Sequence, residues 1–277
     1  MSKKVAILII SHKDTLSPFE IISIRQCYTV LSRHDIFIVC PKGLNTQSYH
    51  EEFGRDIKFH FLDPKWLKSY ESFERLKITP LLYSSFSEYE YILFYEPDAF
   101  VFRDNLEEWC QRGYDYIGAP WLEGMGNASI DAPYVGVGNG GLSLRKTSSH
   151  LRVLNTFGRV REAETYWRFY KRMNWKGKAF HFLQYTFGFL FMNNFHYLLN
   201  NYKGGEDDFW GNYANKKFPW FKVAPVSEGL KFSMEVQPRR MFRDNHEELP
   251  FGCHAWWRYD LDFWRPYIER FGYSINK

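Results

Sequence analysis

The chain has 277 residues and a net charge of +4, with 45% hydrophobic and 25% charged residues, the balance of a soluble globular protein. Its basic residues are scattered without a long block, which argues against dedicated nucleic-acid binding and leaves room for an anionic substrate or membrane surface. The aromatic share of 20% is high, and aromatic rings pack cores but also stack on sugars and bases.

The four cysteines form no CxxC pair, which fits a reduced, cytoplasmic compartment better than a disulfide framework or a zinc site. Lys3 and Lys4 before an apolar run imitate a signal peptide. The run is short and lacks a small-residue cleavage pattern, so Val5 to Ile10 reads as a strand covered on both faces. Ser17-Pro18-Phe19-Glu20 is a capping box with proline at the first helical position. The helix it starts should run to about Ser32, with Ile21, Ile24 and Tyr28 inward. Asp35 to Cys40 is a second strand and Ile57 to Leu62 a third, so a parallel sheet with right-handed crossovers is expected. Glu71 to Phe86 reads as a helix broken near Pro80.

Tyr91 to Arg103 then delivers Glu96 and Asp98 to the end of an apolar strand. Residues two apart share a face, and Pro97 marks the departure from the sheet. Ligands of open α/β sheets bind at such strand ends. Tyr114 to Ala119 is a further short strand. Gly136, Gly138 and Gly141 formally match GxGxxG, but Leu142 to Arg145 alternates like a strand where a helix should open, so no dinucleotide fingerprint is read, and no P-loop occurs. Residues 150–200 read as mainly helical. Arg161 to Arg172 should set one face on the core and one in solvent, and Phe180 to Leu199, interrupted by polar residues, reads as a buried helix and not a transmembrane span. With no linker and no repeat, a single domain over 1–277 is expected.

Three sets of residues converge in type: Glu96 with Asp98, then Glu206, Asp207 and Asp208, then His254. Hard oxygen ligands with one imidazole suit Mn2+ or Mg2+, and a carboxylate nearby can act as a general base. Each set also has a structural reading, since acids favour helix N-termini and a lone histidine can simply pack. A metal-dependent hydrolase and a non-catalytic carbohydrate-binding protein remain alternatives. A sugar-nucleotide pyrophosphorylase fits less well, because Ser11-His12-Lys13-Asp14 after the first strand holds no glycine.

The segment from Phe73 to Lys77, then Tyr89 to Phe94 leading into Glu96-Pro97-Asp98, resembles the stretch before the DxD metal motif of β-1,4-galactosyltransferases. Gly140-Gly141-Leu142-Ser143-Leu144 resembles their acceptor-side strand, and Gly204 to Asp208 their acidic catalytic loop. Together YEPDAFVF, GNGGLSLR, EDDFW and FGCHAWW look closer to a poorly characterised, DUF5672-like bacterial branch of GT-A glycosyltransferases. The resemblance implies an α/β GT-A fold with a mostly parallel central sheet flanked by helices, a nucleotide-binding half over 1–104 and an acceptor-binding half over 105–277.

It further implies an inverting transfer from a nucleotide-sugar donor, such as a UDP-sugar, to a glycan or lipid-linked saccharide acceptor. Asp98, Glu96 and His254, with His246 as the rival histidine, would hold the metal. Arg75, Lys77 and Ser11 would join Glu96 and Asp98 at the donor diphosphate. Asp207 would be the base and Glu206 would fix the acceptor, with Gly140, Gly141, Trp121 and Asp208 lining the acceptor side. No transmembrane segment is expected, and work at the inner face of a membrane would suit a lipid-linked acceptor. The galactosyltransferases carry tryptophan where this chain has Lys203, so their acceptor is not implied.

Overall fold

The computed structural model describes residues 3–275. The chain opens with β1 (Lys3–Ile10), α1 (Pro18–Val30), β2 (Asp35–Pro41), α2 (Gln47–Phe53) and β3 (Lys58–Leu62). The capping box forms as expected: the Ser17 side chain accepts from Glu20 N–H, and the Glu20 carboxylate accepts from Ser17 N–H at 2.8 Å. Next come α3 (Tyr70–Leu76), α4 (Pro80–Ser85) and β4 (Tyr89–Tyr95), with the expected break at Pro80 leaving Lys77 in the turn between the two helices. β5 (Phe100–Val101), α5 (Leu106–Gln111), β6 (Tyr116–Ile117), β7 (Pro120–Leu122), β8 (Tyr134–Val137), β9 (Leu142–Lys146) and α6 (Thr147–Leu154) follow.

The central sheet has the order β3-β2-β1-β4-β9-β6. The pairings β1–β2, β2–β3 and β1–β4 are parallel, and β9 runs antiparallel to both β4 and β6. Alternation along a strand puts successive side chains on opposite faces, and here both faces are covered. Val5, Ile7, Ile9, Tyr91, Leu93 and Tyr95 pack with Ile24, Cys27 and Trp109 on one side. Ala6, Leu8, Ile10, Ile92 and Phe94 pack with Leu82, Tyr83 and Val153 on the other. That double burial is why β1 and β4 are unbroken apolar runs. Trimming fully buried Ile7 to alanine should cost about 2–5 kcal/mol.

The second part of the chain holds α7 (Ala163–Arg172), α8 (Trp175–Phe187), α9 (Phe195–Asn201), α10 (Glu206–Asp208), α11 (Asn215–Lys217), α12 (Val226–Phe232), β10 (Ser233–Met234), α13 (Pro238–Asp244), β11 (Gly252–Cys253) and α14 (Leu261–Glu269). A small sheet, β10-β11-β5, sits over a third apolar cluster that includes Phe100, Met241, Trp256 and Trp264.

One expectation fails here. Phe180 to Leu199 is not a buried helix: α8 ends at Phe187, a π-helical turn covers Gly188–Met192, and only α9 returns to the core through Phe195 and Leu199. α7 likewise buries no residue. An apolar sequence is inward only where a second surface covers it, and these two helices have chiefly each other, through Tyr166, Tyr170 and Tyr185.

Candidate active site

β4 ends at Tyr95, and Glu96 N–H donates to the Gly141 carbonyl at 2.7 Å, tying the strand end to the start of β9. The chain turns through Pro97 and Asp98 and enters β5. There Phe100 lies opposite Cys253 and Val101 opposite Gly252, in antiparallel register. β11 also pairs in parallel with β10, Met234 opposite Cys253. The next residue outward on β10 is Glu235 and on β11 is His254, so this short ladder delivers both to Asp98.

The result is a compact ligand set. One side-chain ligand atom each of Glu96, Asp98 and His254 lies within 4.8 Å of the others. His254 Nε2 is 3.0 Å from Asp98 Oδ1 and 3.7 Å from Glu96 Oε2, and Nδ1 is 2.8 Å from Glu235 Oε1. Nε2 is buried and makes no hydrogen bond of good geometry. Burial alone would lower the imidazole pKa, but the Asp98 charge and the contacts with Asp98, Glu235 and Glu96 outweigh it and hold the ring protonated well above its usual range. With Nδ1 protonated toward Glu235, a metal ion held by Asp98 and Glu96 would take the place of the Nε2 proton.

Behind the ligand set stands a buried ionic hub. Lys77 Nζ, in the turn after α3, is 3.0 Å from Glu96 Oε1 and 3.2 Å from both Glu74 Oε1 and Glu206 Oε1. Arg145, on β9, pairs with both Glu206 oxygens at 2.8 and 2.9 Å and donates to Tyr83 Oη at 3.0 Å. Burial would raise the Glu206 and Glu96 pKa values. Arg145 and Lys77 instead keep Glu206 below its usual range, and Lys77 and His254 do the same for Glu96. Six carboxylates (Glu74, Glu96, Asp98, Glu206, Asp207 and Glu235) line one cavity. Lys77 and Arg258 line it too, with Arg145 behind Glu206. The residues therefore fit a hard divalent cation in donor type and in charge.

Two cavities meet at this point. The larger, about 440 Å³, is lined by Ser11, His12 and Lys13 beyond β1, by Lys68, Tyr70, Phe73 and Trp257, and by Glu96 and Asp98. The smaller, about 250 Å³, shares Tyr70, Phe73, Glu96 and Asp98, and adds Gly140, Gly141, Glu206, Asp207, Glu235 and His254. Asp207 lines only the smaller. Burial, with the Glu206 charge next, pushes its carboxyl up to about 7. Among the described residues no Lys or Arg pairs with it as Arg145 and Lys77 pair with Glu206; its Oδ1 accepts from Asp208 N–H at 2.9 Å.

Several expected site residues stand elsewhere or in another role. Arg75 lines neither cavity; its guanidinium donates to the carbonyls of Leu199 and Asn200 near the end of α9. Trp121 is buried against the backbone of Gly138 and Gly211, where neither glycine has room for a Cβ. Asp208 turns to Tyr202 Oη at 2.5 Å and Asn212 Nδ2 at 2.8 Å, and lines neither cavity. His246, in a positive-φ turn after α13, is outside the cluster that Glu96, Asp98 and His254 form. Glu206 has its oxygens turned to Arg145 and Lys77. Lys77 is likewise enclosed by three carboxylates.

Gly140 and Gly141 are needed by the protein's own groups. A Cβ on Gly140 would sit 1.7 Å from Glu206 Oε1, and one on Gly141 1.9 Å from His254 Nε2. The sequence reading missed Glu235, Glu74 and Arg145. An arginine inside the apolar strand Leu142–Lys146 was a readable signal, because a buried guanidinium demands a carboxylate partner. Glu235 carried no such signal.

Comparison with known proteins places residues 56–254 in a match to the family described as "Protein of unknown function (DUF5672)". No curated protein matches the sequence. Among solved structures, similarity is found to mouse xyloside xylosyltransferase 1 (9% identity, TM-score 0.46, covering 92% of this chain and 97% of that one). It is found also to the galactosyltransferase LgtC in complex with donor and acceptor sugar analogues (12% identity, TM-score 0.49, 98% of each chain). A third is a glycosyltransferase involved in glycosylation of the major capsid of PBCV-1 (11% identity, TM-score 0.39, 91% and 92%). The α/β architecture itself, a largely parallel sheet with helices on both faces, is the one expected of a GT-A fold.

Proposed function

The chain belongs to the DUF5672 family, and we propose that it is a metal-dependent glycosyltransferase acting by inversion on a nucleotide-sugar donor and a glycan or lipid-linked hydroxyl acceptor. The observation that carries this reading is the meeting of two cavities at Asp98 and Glu96, with an uncommitted carboxylate, Asp207, lining only the smaller. In it the larger cavity takes the nucleoside diphosphate, UDP being the first candidate. Tyr70, Phe73 and Trp257 offer ring faces there, and Lys13, His12 and Lys68 offer donors to phosphate.

Asp98 and His254 would hold Mn2+ or Mg2+, with Glu96 dividing its oxygens between the metal side and Lys77. The bound ion supplies charge stabilisation for the departing diphosphate. Asp207 accepts the proton of the acceptor hydroxyl as that oxygen attacks from the smaller cavity. A pKa near 7 suits this task, since a base is most effective when its pKa lies near the working pH. Glu206, Lys77 and Arg145 act on Asp207 through position and charge, without touching the reacting atoms.

The test is release of nucleoside diphosphate from a panel of UDP- and GDP-sugars with Mn2+ or Mg2+, in the presence of glycan and lipid-linked acceptors. Product carrying the inverted anomer supports the reading. Cleavage that delivers the sugar only to water with every acceptor would replace it with a hydrolase, and no turnover with any donor would remove it.

A further inference from the structure

α7 and α8 form an outlying pair that the reaction does not use. Tyr166 and Tyr170 on α7 pack edge-on against Tyr185 on α8, which closes the inner side of the pair. The outer side of α8 is left apolar and bare: Phe180 is 80% exposed, Leu183 76%, Phe187 50%, and Phe191 in the following turn 62%. Their spacing of three or four residues puts them on one helical stripe. Trp175, at the start of α8, is 74% exposed. A cluster of this kind on a soluble chain marks a contact surface.

The charge around this stripe specifies the contact. Residues 159–192 contain seven Lys or Arg against two Glu, a net of +5, whereas the whole chain has +4, so the rest of the molecule is close to neutral at −1. No Asp or Glu occurs from Thr165 to Gly205. Arg168, Lys171, Arg172 and Lys176 are exposed. No helix among the described residues is long and apolar enough to cross a bilayer. A basic, aromatic helix too short to span has the make-up of one that lies in the lipid interface, rings in the acyl boundary and cations among the headgroups.

We propose that the α7–α8 pair is a docking surface for an anionic lipid bilayer. The same segment leads through α9 to Glu206 and Asp207. The lipid assignment rests on the helix pair alone and stands whether or not the glycosyltransferase reading holds.

The test is co-sedimentation of the full chain with vesicles of phosphatidylcholine alone and of phosphatidylcholine containing phosphatidylglycerol. The expected result is binding to the anionic vesicles at low salt, little to the neutral ones, and loss of binding near 0.5 M salt, where screening shortens to about 4 Å. Each basic residue near an anionic surface is worth roughly fivefold, so the double variant Lys171→Gln, Arg172→Gln should bind on the order of 20-fold more weakly. The triple variant Phe180→Ser, Leu183→Ser, Phe187→Ser changes side chains already in solvent, should keep its circular dichroism and thermal midpoint, and should lose vesicle binding. Equal binding to neutral and anionic vesicles, or none to either, overturns the proposal. A concentration-dependent dimer that the serine variants abolish, without vesicle binding, assigns the stripe to a second copy of the chain instead.

Discussion

Glu235 Oε1 lies 2.8 Å from His254 Nδ1, on the side of the imidazole opposite Asp98. The contact exists because β10 and β11 pair in register, so two residues that are 19 apart in sequence leave the ladder side by side. It fixes the ring so that Nε2, and not Nδ1, meets Asp98 and Glu96. Partners of this kind typically contribute about 10- to 100-fold to metal affinity. Glu235→Ala should therefore weaken Mn2+ binding by about that factor while the fold persists, measured by calorimetry and thermal melting. Unchanged Mn2+ affinity would mean that other contacts hold His254, Asn139 Nδ2 at 3.1 Å from Nδ1 among them.

Asp207 gives a pH prediction. A base with pKa about 7 is mostly protonated in mild acid, so turnover should rise with pH through about 7 and then level. Asp207→Asn should lose about 10² to 10⁴ in kcat, abolish that limb and leave donor affinity intact. The stability effect has the opposite sign. The folded pKa is raised above the ordinary aspartate value, so the protein is favoured while Asp207 is protonated, and this contribution fades between about pH 4 and about pH 7. Above pH 7 the Asn variant should be the more stable protein, by at most about 4 kcal/mol, which urea unfolding at two pH values would show. A variant with full turnover would remove Asp207 as the base.

Much of the frame was legible because its causes are local. The β-branched run of β1, the Ser17–Glu20 capping box and the break at Pro80 are each written within a few residues, and each is found. The convergence of Glu96, Asp98 and His254 was legible in residue type, since few other arrangements use those groups together. What was not legible depended on pairing across the fold. Arg75 looked like a phosphate ligand until α9 brought two carbonyls to it, and Glu206 looked free until Arg145 and Lys77 closed on it. The aromatic stretch of α8 was misread because composition alone does not distinguish a core-facing stripe from one left bare.

Arg75 should consequently be dispensable for donor binding. Its two hydrogen bonds to carbonyls near the end of α9 are partly exposed, so Arg75→Ala should cost about 1 kcal/mol of stability and leave the donor KM unchanged. Lys13→Ala, in the larger cavity, should raise the donor KM, and because Lys13 Nζ also pairs with the buried Glu20 at 2.7 Å it should lower the melting temperature as well. The reverse pattern in initial-rate kinetics would return Arg75 to the donor site.

Glu206 should behave as a structural ion. Removing it leaves Lys77 and Arg145 buried with their main counter-charge gone, and breaking a buried pair in this way costs about 3–5 kcal/mol. Glu206→Ala should thus lower the urea midpoint sharply at neutral pH. The native protein should show the same loss on acidification, because Glu206 and Glu96 are held below the usual carboxylate range. Their stabilisation is present above the ordinary carboxylate pKa and is lost as pH falls through the depressed values. An Ala variant as stable as the parent would show that the hub relaxes around the vacancy and would reopen Glu206 as an acceptor ligand.

The two adjacent glycines separate these roles most sharply. A methyl group on Gly140 would lie 1.7 Å from Glu206 Oε1 and 3.0 Å from Lys77 Nζ, inside the ionic hub, where moving either partner pulls it from its counter-ions. A methyl group on Gly141 would lie 1.9 Å from His254 Nε2, the atom that faces Asp98. Gly140→Ala should therefore act on stability, by about 1–3 kcal/mol as for other overpacked cores, and on activity only through it. Gly141→Ala displaces a ring at the cavity edge, which can swing toward the open side. It should keep most of the stability and lose at least about tenfold in Mn2+ affinity. Thermal melting with and without Mn2+ reads both effects at once: the Gly140 variant should melt early yet still gain stability from the ion, and the Gly141 variant should melt near the parent temperature and gain little. If both variants respond to Mn2+ as the parent does, His254 is not a ligand and the site must be sought around Asp98 and Glu96 alone.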